Sequence, residues 1–238
     1  MRRRIVAVAV AGLLAVAGLA GCRAELGSAA YVGDTRITTD QVDSIFDEAK
    51  ADGWQVDAAS EPSLRQSVVS FLVLRETAKR YTEEKGYPTP TFDYQPAAAN
   101  LSLPTSDPIV RLVTEVVAYL ALLQDKVPPA ALGPADYTAV AQQVVDAGSP
   151  GDVATVAAQL QLAAADQIAR TVAVRDVLAG ALRQYHVMIS PRYAPGSITL
   201  AETPVGLPNV QAGLPMVVLP LTANATLAPA VTNLPGLG

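Results

Sequence analysis

Cysteine, histidine and tryptophan occur once each in the 238 residues, and aromatic side chains make up only 5% of the chain. A lone cysteine cannot close an intrachain disulfide, so an exported form of this chain must rely on an apolar core. One histidine and one cysteine are too few to build a histidine/cysteine metal site. Neither a phosphate-binding loop nor a Gly-x-Ser-x-Gly nucleophile motif is present, and no cofactor or catalytic constellation is expected. The 17 basic residues are outnumbered by 22 acidic ones, a net charge of −5 that argues against nucleic acid as a partner. Few large aromatics and abundant Ala, Val and Leu point to packed helices with small side chains.

What the chain does have begins at its amino terminus. Arg2, Arg3 and Arg4 precede an uncharged apolar run from Ile5 to Ala20, the layout of an export signal. At about 1.5 Å per helical residue the run spans about 24 Å, short of the ~30 Å hydrocarbon core, which disfavours a permanent membrane span. Leu19, Ala20, Gly21 and Cys22 follow directly and resemble a bacterial lipobox. That resemblance implies a signal peptide over 1–21, diacylglyceryl transfer to the Cys22 thiol, cleavage before Cys22 and acylation of the new terminus. The alternative is an ordinary secretory signal that happens to precede a cysteine. Residues 1–21 carry three arginines and no acids, so the mature chain keeps 14 basic against 22 acidic residues, a net charge of −8. This balance argues against a polybasic grip on anionic lipid, so the acyl chains themselves would hold the protein at the extracytoplasmic face of the cell membrane.

Residues 22–28 read as a short polar tether. Tyr31-Val32 and Arg36-Ile37 then flank Gly33-Asp34, the pattern of a tight hairpin or a kinked strand. Thr38 and Gln41 have capping-box spacing, and Val42, Ile45, Phe46 and Ala49 predict a helix to about Asp52.

The stretch Ala30 to Thr38, followed by Val42-Asp43, is similar to the opening of the amino-terminal domain of SurA-type and PrsA-type secreted chaperones. Those proteins begin with a short strand, a Gly-Asn or Gly-Asp turn, an Ile and a capped helix, and many are lipoproteins. The resemblance implies a helical domain that holds extended segments of newly exported, unfolded proteins in apolar grooves. Many relatives also carry a parvulin prolyl isomerase domain after the helices. His186-Val187-Met188-Ile189 resembles the start of such a domain, but the 49 residues after Ile189 contain no His and no Phe. Isomerase activity is therefore a remote alternative.

Further helices are predicted from Ser60 to Lys85, from Asp107-Pro108 to Lys126, from Pro134 to Ala147, and as one long helix from Asp152 to Tyr185. The third, with Ile109, Leu112, Val113, Val116, Val117, Leu120 and Leu123, is the most apolar and should be central. Residues 87–107, rich in Pro and Ala, read as an extended loop. Val187–Ile189 reads as a short strand that pairs with Tyr31-Val32. The expected fold is thus mainly α, a helical domain over 29–194 with a two-stranded element joining its ends. From Thr203 to Gly238 there is no charged residue but six prolines, so 195–238 is expected to be an unordered Pro/Ala/Leu-rich tail.

Trp54 is the one residue singled out as a possible client contact, and a core-edge position is its structural alternative. Asp40, Asp43, Asp47 and Glu48 at helical spacing read as a solvated face. His186 reads as a helix-terminal cation. A scaffold or adaptor that binds one envelope partner is the runner-up to the chaperone.

Overall fold

The computed structural model describes residues 27–194, 196–208 and 210–221. The chain is mainly helical, with two small antiparallel sheets. Strands β1 (Ser28–Val32) and β2 (Thr35–Thr38) form the expected hairpin around Gly33, with Val32 opposite Thr35 and Tyr31 opposite Arg36. Helix α1 (Thr39–Ala51) starts where the Thr38 hydroxyl accepts a 3.0 Å hydrogen bond from the Gln41 amide. Its buried face is Val42, Ile45, Phe46 and Ala49, the predicted stripe.

Helix α2 (Glu61–Glu84) has Pro62 in its first turn, as predicted, but its entry is fixed elsewhere. The Asp57 carboxylate accepts from the amides of Ala59 at 3.0 Å and Ser60 at 2.8 Å, and turns the chain into the helix. These hydrogen bonds, with one from the Ser60 hydroxyl, lower the Asp57 pKa.

The expected extended loop over 87–107 contains a helix, α3 (Gln95–Leu101). Asp93 accepts from the Gln95 amide, Pro96 occupies the first turn where its missing N–H costs nothing, and Ala97, Ala98 and Leu101 are buried. Here proline starts a helix rather than preventing one. Helix α4 (Pro108–Lys126) follows as expected, capped by Asp107, whose Oδ1 accepts from the Ile109 amide at 2.7 Å. Ile109, Leu112, Val113, Val116 and Leu123 are all at most 1% exposed, so α4 is central, whereas Val117, expected with them, is 51% exposed on its outer side. Each such side chain contributes about 1.5–3 kcal/mol on burial.

Helix α5 (Pro134–Asp146) matches its prediction. The single long helix expected from Asp152 is instead two, α6 (Val153–Ala163) and α7 (Ala165–Gln184), broken at Ala164 with φ −134° and ψ 14°. The break re-aims the chain so that Leu160, Ala164 and Ile168 all enter one core. Strand β3 (Met188–Ile189) pairs with β1 through Ala30–Ile189 and Tyr31–Met188, the long-range closure read from the sequence. With β2 on the other side, the sheet has three strands in the order β2-β1-β3.

The expected unordered tail gives way to a folded hairpin over its first part. Strand β4 (Ser197–Glu202) pairs antiparallel with β5 (Pro215–Pro220). The prolines that argued against a strand stand at the two ends of β5, where they delimit it, and Met216 to Leu219 between them are buried. Residues 222–238 of that expected tail lie outside the described residues.

Two apolar cores result. The larger unites α1–α4, the first sheet and the carboxyl-terminal half of α7, and takes in Ile198, Leu219 and Leu221 of the hairpin. The smaller lies among α5, α6, the start of α7 and the hairpin residues Ala201, Met216 and Val217. Helix α7 and strand β5 each contribute to both, so the folded unit runs past 194 to Leu221.

Candidate functional site

Trp54 sits where α1 ends. The Gly53 amide donates to Lys50 O and the Trp54 amide to Ala49 O at 2.8 Å, a Schellman-type termination that folds the indole back over its own helix. Its ring centroid lies 5.4 Å from that of fully buried Phe46, tilted by 46°. Trp54 is half-buried against the main core, the core-edge position.

Phe46 also receives two cations. The Arg65 guanidinium lies 4.7 Å and the Lys50 ammonium 5.9 Å from its ring centroid. Arg65 is held by Glu61 at 2.9 Å and by Asp43, and Glu61 also takes Lys50 at 2.6 Å. Burial works against the Arg65 charge, but hydrogen bonds to Glu61 and Asp43 raise its pKa above the ordinary value. Hydrogen bonds from Lys50 and Arg65 lower that of Glu61. Asp43, from the acidic face of α1, is therefore part of an ion-pair lattice joining α1 to α2. This end of the domain is a locked structural joint, and the indole is its apolar edge.

A different surface gathers aromatic side chains that the sequence reading passed over. The loop between α2 and α3 carries Tyr87 and Phe92, with Tyr94 at the start of α3, all half-buried. Phe92 stacks at 6.0 Å on Tyr119 of α4 and at 6.3 Å on Tyr94, in both cases tilted. The Arg111 guanidinium lies 5.6 Å from the Tyr94 ring, and Lys85 covers Tyr81 at 5.3 Å. Burial raises the pKa of Tyr81, with Tyr87 adding to it, and burial with nearby Glu83 and Glu115 raises that of Tyr119. Five of the chain's few aromatics thus line one strip along α4 and the end of α2. The available signal was local density: Tyr87, Phe92 and Tyr94 fall within eight residues of a chain otherwise poor in aromatics.

His186 takes no part in any such cluster. It stands one residue beyond Tyr185, which caps α7, and has φ +50°, its amide donating to Arg183 O while the Val187 amide donates to Leu182 O. It fills the position of a Schellman termination that glycine ordinarily occupies. Cys22 and the lipobox residues Leu19, Ala20 and Gly21 lie outside the described residues. Among the described residues no group of three His, Cys, Asp or Glu side chains is placed to hold a metal ion, and no helix is long and apolar enough to cross a membrane.

The chain matches no protein-family model, no curated protein and no solved structure.

Proposed function

We propose that this protein is a lipid-anchored, extracytoplasmic holdase: a chaperone-like domain that binds extended apolar segments of unfolded or newly exported proteins. The observation that carries this reading is the strip of Tyr81, Tyr87, Phe92, Tyr94 and Tyr119. Tyr81, Tyr87, Phe92 and Tyr94 are half-buried, and Phe92 is ordered by packing on buried Tyr119 of α4, so a bound segment would cover the exposed ring faces at little entropic cost. Aromatic faces accept many apolar sequences, which suits a binder without a fixed recognition motif. The similarity of residues 30–43 to the SurA-type opening supports the same reading, as does a late strand, β3, that returns to pair with β1.

The test uses residues 23–238, without lipid, in a light-scattering assay with a chemically unfolded model protein. Suppression of aggregation near equimolar ratio is expected, and a Phe92→Ser, Tyr94→Ser double variant that melts like the parent should lose several-fold of it. No suppression at several-fold molar excess overturns the proposal. A prolyl-isomerisation assay on the same material tests the remote enzymatic alternative. The lipid anchor is tested separately: full-length chain expressed in a bacterial host should incorporate labelled palmitate, and Cys22→Ala should abolish it.

A second reading, an adaptor for one envelope partner, draws on another observation. Leu162 on α6 is 88% exposed and Val205 in the β4–β5 connection is 90% exposed, on a part of the chain nearly free of charge. Recovery of one stoichiometric partner in a pull-down, lost in Leu162→Ser or Val205→Ser, would favour it.

A further inference from the structure

The apolar pattern of α4 is wider than the core it serves. Val117 continues that pattern in the sequence, yet it is 51% exposed. At 3.6 residues per turn it shares the outer side of the helix with Ala118, Ala121 and Leu122, of which Ala121 is exposed and the other two half-buried. Between Glu115 and Asp125 the helix carries no charged residue, and Glu115 is engaged by Arg75 of α2 at 3.3 Å. The remaining charges stand at the two ends of the face. Arg111 and Asp125, both exposed, lie seven residues before and after Ala118, so all three fall on one line along the helix.

The chain itself makes little use of either end charge. Arg111 lies 5.6 Å from the Tyr94 ring and, among the described residues, has no carboxylate partner. Asp125 pairs at 2.8 Å with its neighbour Lys126, but its side chain is 70% exposed, and water screens such a pair.

We propose that this face docks a second copy of the chain, α4 against α4 and antiparallel, with Ala118 near the twofold axis and Arg111 of each copy beside Asp125 of the other. An isologous interface needs a surface that is its own complement when turned end for end. The outer face of α4 meets that condition, because its opposite charges stand about 10 Å to either side of Ala118 at 1.5 Å per residue. A parallel pair would set Arg111 against Arg111 and Asp125 against Asp125, which the charges forbid. The small side chains of Ala118 and Ala121 let the two backbones approach, and Val117 and Leu122 pack beside them. An unfolded client could cover Val117, but it carries no fixed pair of charges at this spacing. The proposal therefore stands apart from client binding at the aromatic strip. A contact built on one helix pair falls at the small end of stable interfaces, so the dissociation constant is expected to be on the order of 10 µM.

The experiment is sedimentation equilibrium of the full chain in a density-matched non-ionic detergent, with thermal melts to show that each variant keeps the fold. The parent is expected to dimerise reversibly. Arg111→Asp and Asp125→Arg each place like charges at both ends of the pair and should weaken it by at least about tenfold. An equimolar mixture of the two variants restores opposite charges at both ends, and a heterodimer about as tight as the parent is expected. Val117→Glu, within the apolar face, should abolish the dimer without lowering the melting temperature. A parent that stays monomeric up to about 0.5 mM overturns the proposal. If such a parent dimerises only once residues 222–238 are removed, the chain's own carboxyl-terminal segment is the occupant instead. A dimer that Val117→Glu or both charge variants leave intact, or one that their mixture does not restore, overturns it equally.

Discussion

The amide of Gly33 donates a 2.7 Å hydrogen bond to the carbonyl of Tyr185, joining the first turn of the domain to the end of its last helix across most of the sequence. Gly33 has φ +59°, and the Arg80 guanidinium covers the place where its Cβ would be. The same guanidinium lies 5.4 Å from the Tyr185 ring. Three elements, the β1–β2 turn, α2 and the end of α7, are thus fixed at one point where a side chain does not fit. Gly33→Ala is expected to cost about 1–3 kcal/mol, from the left-handed backbone and the displaced arginine together. Gly33→Asn should cost less, because asparagine tolerates this conformation. Urea midpoints of the two variants check both statements, and equal stability of Gly33→Ala and the parent would contradict them.

His186 offers the opposite case, a side chain where glycine would fit better. With φ +50° and both Schellman hydrogen bonds made, it bears the left-handed strain and is itself exposed. His186→Gly is expected to stabilise the chain by about 0.5–1 kcal/mol, net of the entropy that glycine loses on folding. Differential scanning calorimetry would read this as a rise of about 1–4 °C. The same variant should leave client binding unchanged, since nothing assigns His186 to the aromatic strip.

Local signals with a physical mechanism were legible in the sequence. The Thr38 and Asp107 caps, the stripe of α1, the apolar face of α4 except Val117, and the turn at Gly33 came through as read, because each is decided by residues within one or two turns. The closure of β3 on β1 was also legible, since Val187–Ile189 follows the last helix and has few other strands to pair with. What was lost needed tertiary context. Nothing in the alanine-rich run around Ala164 interrupts a helical pattern, yet the chain breaks there to deliver Leu160 and Ile168 to one core. Strand β5 lacks alternation because Met216, Val217, Val218 and Leu219 are all buried, so its period of two is invisible. The aromatic strip is contributed by a loop and three helices, and only folding brings Phe92 to Tyr119.

Acid should weaken an exposed carboxylate cap. The Asp152 carboxylate caps α6 by accepting from the Thr155 amide at 3.0 Å and its hydroxyl at 2.7 Å, and these bonds lower its pKa from the ordinary 3.8. A group whose pKa falls on folding stabilises the fold above its unfolded value and loses that contribution as pH drops through the folded one. Asp152→Ala is therefore expected to melt below the parent at neutral pH, with the gap closing under pH 3.8. Asp107→Asn should show the reverse dependence, because burial of Asp107 raises its pKa. Paired melts of the two variants across this range separate an exposed cap from a buried one.

The β4–β5 hairpin carries the strongest prediction about domain limits. Its base comes so close to α2 that a Cβ on Gly196 would lie 3.0 Å from Ser70 Oγ, and the Leu221 amide donates to Gly196 O at 2.9 Å. Leu219 and Leu221, both fully buried, fill the larger core, while Met216 and Val217 fill the smaller. A chain ending at residue 194 would expose both cores along the full length of the missing strand. Leu219→Ala alone is expected to cost about 2–5 kcal/mol by loss of burial and the cavity left behind. Truncation at 194 removes several such side chains at once, against a total stability of about 5–15 kcal/mol, so that fragment should not fold cooperatively. A chain ending at 221 should unfold in a single urea transition near that of the full protein. A fragment ending at 194 that unfolds like the full protein would show that α1–α7 stand without the hairpin, and would return the domain boundary to the end of β3.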